Sequence, residues 1–243
     1  MHYLLRKQIV LLILLLTIIG SGHTHAQIRR INRLEHENQL YYFGITLGYN
    51  SSYIHQSKSE RFITNNDTII IAEPGSSGGV CMGLLATGRL SDHFQCRVNP
   101  QLIIGGAKSI NYTLGRALPG EASTQFQSLP ATLISLPFHI KFNSDRIDNF
   151  RTYLLGGVKF DFDLSNNSSA RNADDMVKLK SGDFGIEAGI GFNIYLPFVT
   201  VTPEIKVSYG VANIHQLDPA LKYSNILDKF QSRMVVFSIH LED

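Results

Sequence analysis

Cysteine is scarce in this chain, with Cys81 and Cys96 the only two among 243 residues, and they make no Cys-x-x-Cys spacing. The nine histidines are scattered, two of them (His23 and His25) in the tail of the leader described below, and no His-x-x-x-His pair follows. A Walker phosphate loop, a dinucleotide fingerprint and a Gly-x-Ser-x-Gly elbow are all missing. The expectation is therefore no metal site, no cofactor, no catalytic residues and no small-molecule substrate. An excess of either charge is missing too. Setting aside Arg6 and Lys7 of the leader, the remaining Lys and Arg equal the 20 Asp and Glu, and a net charge near zero argues against nucleic acid as a partner.

Long hydrophobic runs are likewise few. The apolar run from Ile9 to Ile19 follows Arg6 and Lys7 and precedes Gly20-Ser21-Gly22. It is shorter than the roughly 20 residues a spanning helix needs, so it reads as a secretory signal peptide cut after Ala26. That divides the chain into residues 1–26 as signal peptide, 27–40 as a polar, mobile periplasmic arm, and 41–243 as one domain without an internal linker.

What the mature chain does contain is alternation. From Gly182 to Leu196 the even positions Phe184, Ile186, Ala188, Ile190, Phe192, Ile194 and Leu196 are apolar, against Asp183, Gly185, Glu187, Gly189, Gly191 and Asn193. A period of two defines a strand with one apolar face. Seven apolar residues make a stripe taller than an ordinary strand of about five or six residues needs, whereas a bilayer-spanning strand takes roughly nine to eleven. The same test finds strands near Tyr41–Asn50, Val80–Arg89, Phe94–Ile104, Ile134–Phe142, Thr152–Leu164, Val199–Val211 and Phe230–Leu241. Their connections alternate. Tight joins lie at Ser91–His93, Asn143–Phe150 and Pro197-Phe198, and polar loops at Ser51–Ser77, Gly106–Pro130, Ser165–Ser181 and Ala212–Lys229.

Eight such strands with alternating short and long connections predict an all-β fold, an eight-stranded antiparallel transmembrane β-barrel of the bacterial outer membrane. The short turns and both termini are expected in the periplasm, the long loops outside, and lipid around the wall. Cys81 and Cys96 fall on opposite parities of neighbouring strands, so free thiols are expected. Aromatic girdles are expected from Tyr41, Tyr42, Phe43, Phe94, Phe142, Tyr153 and Phe198 at the short-turn end, and from Phe160, Phe162, Phe184 and Tyr209 at the other.

An eight-stranded barrel is just wide enough to be filled by side chains, which argues against a porin channel. The inward parity carries Arg89, Arg97, Lys141, Lys159, Asp161, Asp163, Asp183, Glu187, Glu204 and Lys206. These are expected to neutralise one another as a structural ion-pair network, because an unpaired charge in a narrow lumen is costly. The inward glycines Gly185, Gly189 and Gly191 would leave room for long neighbours. Ser135 and His139 share a parity, but four residues along a strand separates them by roughly 13 Å, too far for a nucleophile and its base.

The stretches Leu136-Pro137-Phe138-His139-Ile140-Lys141-Phe142 and Tyr153-Leu154-Leu155-Gly156-Gly157-Val158-Lys159-Phe160-Asp161 resemble the PorT family of outer-membrane β-barrel proteins. Gly185–Phe192 and Thr202–Gly210 are similar to the same family. The resemblance implies a non-enzymatic component of a type IX secretion system, needed for export of cargo such as gingipain-type proteases. It also implies other components of that system as partners, and no catalytic residues to transfer. The terminal Leu241-Glu242-Asp243 departs from the terminal aromatic of many outer-membrane barrels. Competing expectations are a small lipid-modifying enzyme, a structural or adhesion barrel, or a soluble barrel or sandwich with the apolar parity turned inward.

Overall fold

The computed structural model describes residues 31–35, 39–58, 69–105, 108–114, 124–129, 132–165, 178–216 and 227–243. The predicted signal peptide, residues 1–26, lies outside the described residues. The strands in chain order are β1 (Tyr41–Lys58), β2 (Ile69–Gly75), β3 (Ser77–Arg89), β4 (Phe94–Val98), β5 (Gln101–Gly105), β6 (Lys108–Leu114) and β7 (Thr124–Leu129). They continue with β8 (Thr132–Asn143), β9 (Phe150–Asp163), β10 (Lys178–Leu179), β11 (Gly182–Tyr195), β12 (Thr200–Gly210), β13 (His215–Gln216) and β14 (Leu227–Glu242).

The main sheet is antiparallel and runs β1-β14-β12-β11-β9-β8-β4-β3, and β1 pairs with both β14 and β3. It therefore closes on itself and has no edge. β4 and β5 both lie between β3 and β8, and together they form one stave interrupted at Asn99-Pro100. Proline has no N–H to give the ladder, which is why pairing lapses there. The interruption is local: Leu84 N donates to Pro100 O at 3.0 Å, and Asn99 N to Pro137 O at 3.3 Å. Parity survives it, with Arg97, Asn99, Gln101 and Ile103 all buried. Eight staves result.

Burial is inverted relative to a water-soluble barrel. Arg97, Lys141, Lys159 and Lys206 are among the largest fully buried side chains, while Leu84, Ile186, Ile205, Phe237 and Ile239 are bare on the outside. In water so large an exposed apolar surface is unfavourable; against hydrocarbon it is the expected face. All eight predicted parities point the way the sequence implies, and the soluble reading with an apolar interior is overturned. Cys81 lies inward and buried, Cys96 is half-exposed on the other parity, and both thiols are free.

Three of the tight joins lie where expected, between β3 and β4, β8 and β9, and β11 and β12. The segments expected to be loops differ. β2, β6 and β7 form a separate antiparallel sheet in that order. They adjoin β3, β5 and β8 in the chain and repeat the neighbour order of those staves, so three staves continue as a sheet at the long-loop end. Gly105, at φ +85°, makes the bend between β5 and β6, a conformation that a side chain would strain. β10 pairs with β13, and β1 and β14 stay paired as far as Lys58 and Leu227, beyond the bilayer-spanning length.

Candidate functional site

Inward parity delivers the lumen residues from every stave. Arg97 on β4 donates from Nη1 to Glu204 Oε2 of β12 at 2.9 Å and from Nη2 to Glu242 Oε1 of β14 at 2.6 Å. Its Nε reaches Thr87 Oγ1 at 3.4 Å. The Tyr153 hydroxyl of β9 donates to the same Glu204 oxygen at 2.6 Å. On the other side of that carboxylate, His240 Nε2 lies 3.4 Å and Lys206 Nζ 4.0 Å from Glu204 Oε1. The His240 ring continues through Nδ1 to Thr46 Oγ1 at 2.8 Å, and Thr46 donates to Asn99 at 3.1 Å.

A second layer is centred on Glu187 of β11. His139 Nε2 is 2.6 Å and Lys206 Nζ 3.4 Å from Glu187 Oε2. A third joins Lys159 to Asp161 at 2.6 Å, and Asp161 also accepts from Ser135 Oγ at 2.5 Å. Four cations (Arg97, Lys141, Lys159 and Lys206) face four anions (Asp161, Glu187, Glu204 and Glu242) among the buried described residues. The lumen is thus formally neutral with its histidines uncharged. This is how charge becomes tolerable where water is excluded.

Seven of the ten charged residues predicted to face inward (Arg97, Lys141, Lys159, Asp161, Glu187, Glu204 and Lys206) are buried inside, and all of these but Lys141 share in an ion pair; the other three, Arg89, Asp163 and Asp183, are only half-buried. Lys141 Nζ has no hydrogen-bond partner among the described residues and sits 3.9 Å from the centre of the Tyr153 ring. It makes a cation–π contact instead. Since no ion pair is broken by its removal, Lys141→Met is expected to keep stability within about 1 kcal/mol of the parent or above it, measured by urea unfolding in lipid vesicles.

Arg89, Asp163 and Asp183 lie at the ends of the lumen. Arg89 pairs with Asp92 at the β3–β4 turn, Asp163 accepts from Ser165 N at 2.9 Å, and Asp183 accepts from Ser232. Below the β10–β13 pair a cavity of about 10 Å³ is lined by Leu133, Asp161, Asp183 and Met234, room for about one water. The glycines do make room: a Cβ at Gly189 would stand 2.9 Å from Lys206 Cγ, one at Gly185 3.1 Å from Lys159 Cε, and one at Gly191 would collide with the Tyr153 ring. Ser135 and His139 both point inward but serve different carboxylates.

Two girdle assignments are corrected. Tyr42 and Tyr153 are 4% and 2% exposed and belong to the lumen. Tyr42 donates to Gln95 Oε1 at 2.9 Å. The other girdle residues point outward. Phe94 packs on Phe142 and Phe150 on Phe192 toward the short turns, with Phe160 on Phe184 toward the long loops.

Part of the expected mobile arm is also fastened down. Asn32 N donates to Asn149 Oδ1 at 2.8 Å and its Nδ2 to Tyr195 O at 3.1 Å, while Arg146 donates to Asn32 O. Arg33, in the left-handed region at φ 54°, donates from Nη1 to Phe198 O at 3.3 Å and Glu242 O at 3.1 Å. The arm thus joins two short turns to the end of β14. A non-glycine residue keeps such a conformation only where its surroundings compensate. Arg33→Ala should release the arm without unfolding the barrel, so limited proteolysis should trim ahead of Tyr41 at least several-fold faster at unchanged barrel stability.

A closed barrel with an apolar exterior and a neutralised polar lumen defines a transmembrane β-barrel of the outer-membrane kind. Residues 26–216 match the family model described as outer membrane protein beta-barrel domain, and the chain belongs to that family. Its location is the bacterial outer membrane. No curated protein matches the chain. Among solved structures, Neisserial surface protein A (NspA) is similar at 11% identity and a TM-score of 0.42, covering 83% of this chain and 96% of that one. The outer membrane protein OprG from Pseudomonas aeruginosa is similar at 16% identity and a TM-score of 0.42, covering 83% and 92%. The outer membrane protease OmpT from Escherichia coli aligns at 8% identity and a TM-score of 0.33, over 83% and 95%. No residue role follows from these likenesses.

Proposed function

We propose that this chain is a non-enzymatic, PorT-type component of a type IX secretion system, required for export and maturation of cargo such as gingipain-type proteases. The observation that carries the non-channel part of the reading is the lumen, where Arg97, Glu204, Glu242 and Tyr153 bridge β4, β9, β12 and β14 across the interior. A barrel filled in this way passes no polypeptide, so translocation falls to a larger partner, and this protein acts from its outer surfaces. The secretion system itself rests on the resemblance of the stretches on β8, β9, β11 and β12 to the PorT family. The short turns, both termini and the fastened arm face the periplasm, in reach of other components of the system, and the wall faces lipid.

The test is a deletion strain, fractionated and probed for secreted proteases and their unprocessed forms. Cargo trapped in the periplasm with unchanged membrane lipid, restored by the gene in trans, is the expected result. Normal export with altered lipid would overturn it in favour of a lipid-modifying enzyme. Normal export with unchanged lipid would leave a structural or adhesion barrel.

A further inference from the structure

The outer wall is not uniformly convex. Across β1, β14, β12 and β11 runs an apolar groove of about 620 Å³, within the range of roughly 300–1,000 Å³ typical of sites for small molecules. Its floor is the backbone row Gly48, Ser238 and Glu204, which are register partners across β1, β14 and β12. One bank is Leu47, Ile239 and Pro203, and the other is Tyr49, Phe237 and Ile205, again register partners. Local sequence explains the depression. Pro203 is the smallest outward residue in its row and brings no N–H. The β11–β12 register runs to Gly191 opposite Glu204 and resumes at Ile194 opposite Val201, with the two steps between them unpaired. On the lumen side the opening is bridged by Thr202 Oγ1, which donates to Asn193 Oδ1 at 3.3 Å.

We propose that this groove is a binding site for one acyl chain of a phospholipid from the periplasmic leaflet. Three observations select that occupant. The banks present aromatic and aliphatic side chains with no charged or amide group, so the ligand portion they hold is hydrocarbon. A partner helix would need small residues to let backbones approach, and Pro203 is the only small outward residue on these banks; a thin, flexible chain needs no such approach. Depth selects the leaflet. Glu204 lies four positions from Thr200 and Ser238 four from Glu242, at the short-turn ends of β12 and β14. That is roughly 13 Å along strands tilted by about 40°, or about 10 Å of depth, in the half of the wall nearer the short turns. Placing that half in the periplasmic leaflet rests on the orientation given under Proposed function.

The experiment is native mass spectrometry of the full chain extracted from outer membranes in mild detergent. The parent barrel is expected to retain one phospholipid equivalent through detergent exchange. Ile239→Trp, which fills the groove, is expected to lower occupancy about tenfold, with Leu47→Trp as a second filling variant should the first fail to fold. Ile140→Trp, on the wall at β8, is expected to leave it unchanged. A lipid-free parent, or equal retention in the filled and parent barrels, would overturn the site. Retained lipopolysaccharide would overturn the leaflet, and a cross-linked transmembrane protein in its place would overturn the occupant. The readout does not depend on cargo export, so failure here and failure of the secretion reading are separable.

Discussion

Arg97→Met is expected to destabilise the barrel by about 3–5 kcal/mol, the cost of removing one partner from a buried ion pair. The substitution leaves Glu204 and Glu242 in the lumen without the guanidinium that engaged both. Tyr153 still donates to Glu204. The loss should appear as a lower urea midpoint for unfolding from lipid vesicles, with the slope retained. Adding Glu242→Gln to Arg97→Met should recover part of the loss, because the second change removes one of the two carboxylate charges that the guanidinium had balanced. A double variant as unstable as the sum of the single ones would mean that the pair does not interact as described.

Ile205→Arg should cost about 2–4 kcal/mol, the figure for an arginine at the bilayer midplane on a barrel's lipid face. Ile205 is the sixth residue of the 11 in β12 and points outward, 45% exposed. The same change at Phe198, bare at the tip of the β11–β12 turn, should cost no more than about 1 kcal/mol. The contrast tests depth, since both residues are exposed and apolar. Equal costs would mean that the wall near Ile205 does not face hydrocarbon.

The staves were legible because each carries seven or fewer outward residues under one demand, and hydrocarbon on the outside enforces a period of two without exception. The lumen was legible for the same reason, read on the other parity: Arg97, Lys141, Lys159, Asp161, Glu187, Glu204 and Lys206 all follow from counting by twos. Its missing members obeyed the same count. Glu242 lies on the inward parity one residue past Leu241, where the apolar stripe ends, and His240 sits on the mixed face of that strand. Tyr153 was misassigned because an aromatic near a strand end has two good uses, girdle and lumen, and only its odd parity on β9 distinguishes them.

Other parts left no period to read. β6, Lys-Ser-Ile-Asn-Tyr-Thr-Leu, and β7, Thr-Gln-Phe-Gln-Ser-Leu, continue staves beyond the hydrocarbon, where an apolar face is not required and the sequence resembles a polar loop. The arm is fastened largely through carbonyl oxygens of Tyr195, Phe198 and Glu242, acceptors that any residue supplies. The groove arises from one proline within an otherwise regular strand. A proline in a strand signals an interrupted ladder, but only the register across four strands shows where the wall recedes.

Closure of the lumen by the layer around Arg97 leaves no open path through the barrel. Its most direct test is single-channel recording of the purified barrel in planar bilayers at neutral pH. A flat baseline with no conductance steps across the physiological voltage range is expected. Stable, unitary open steps in the parent barrel would contradict it.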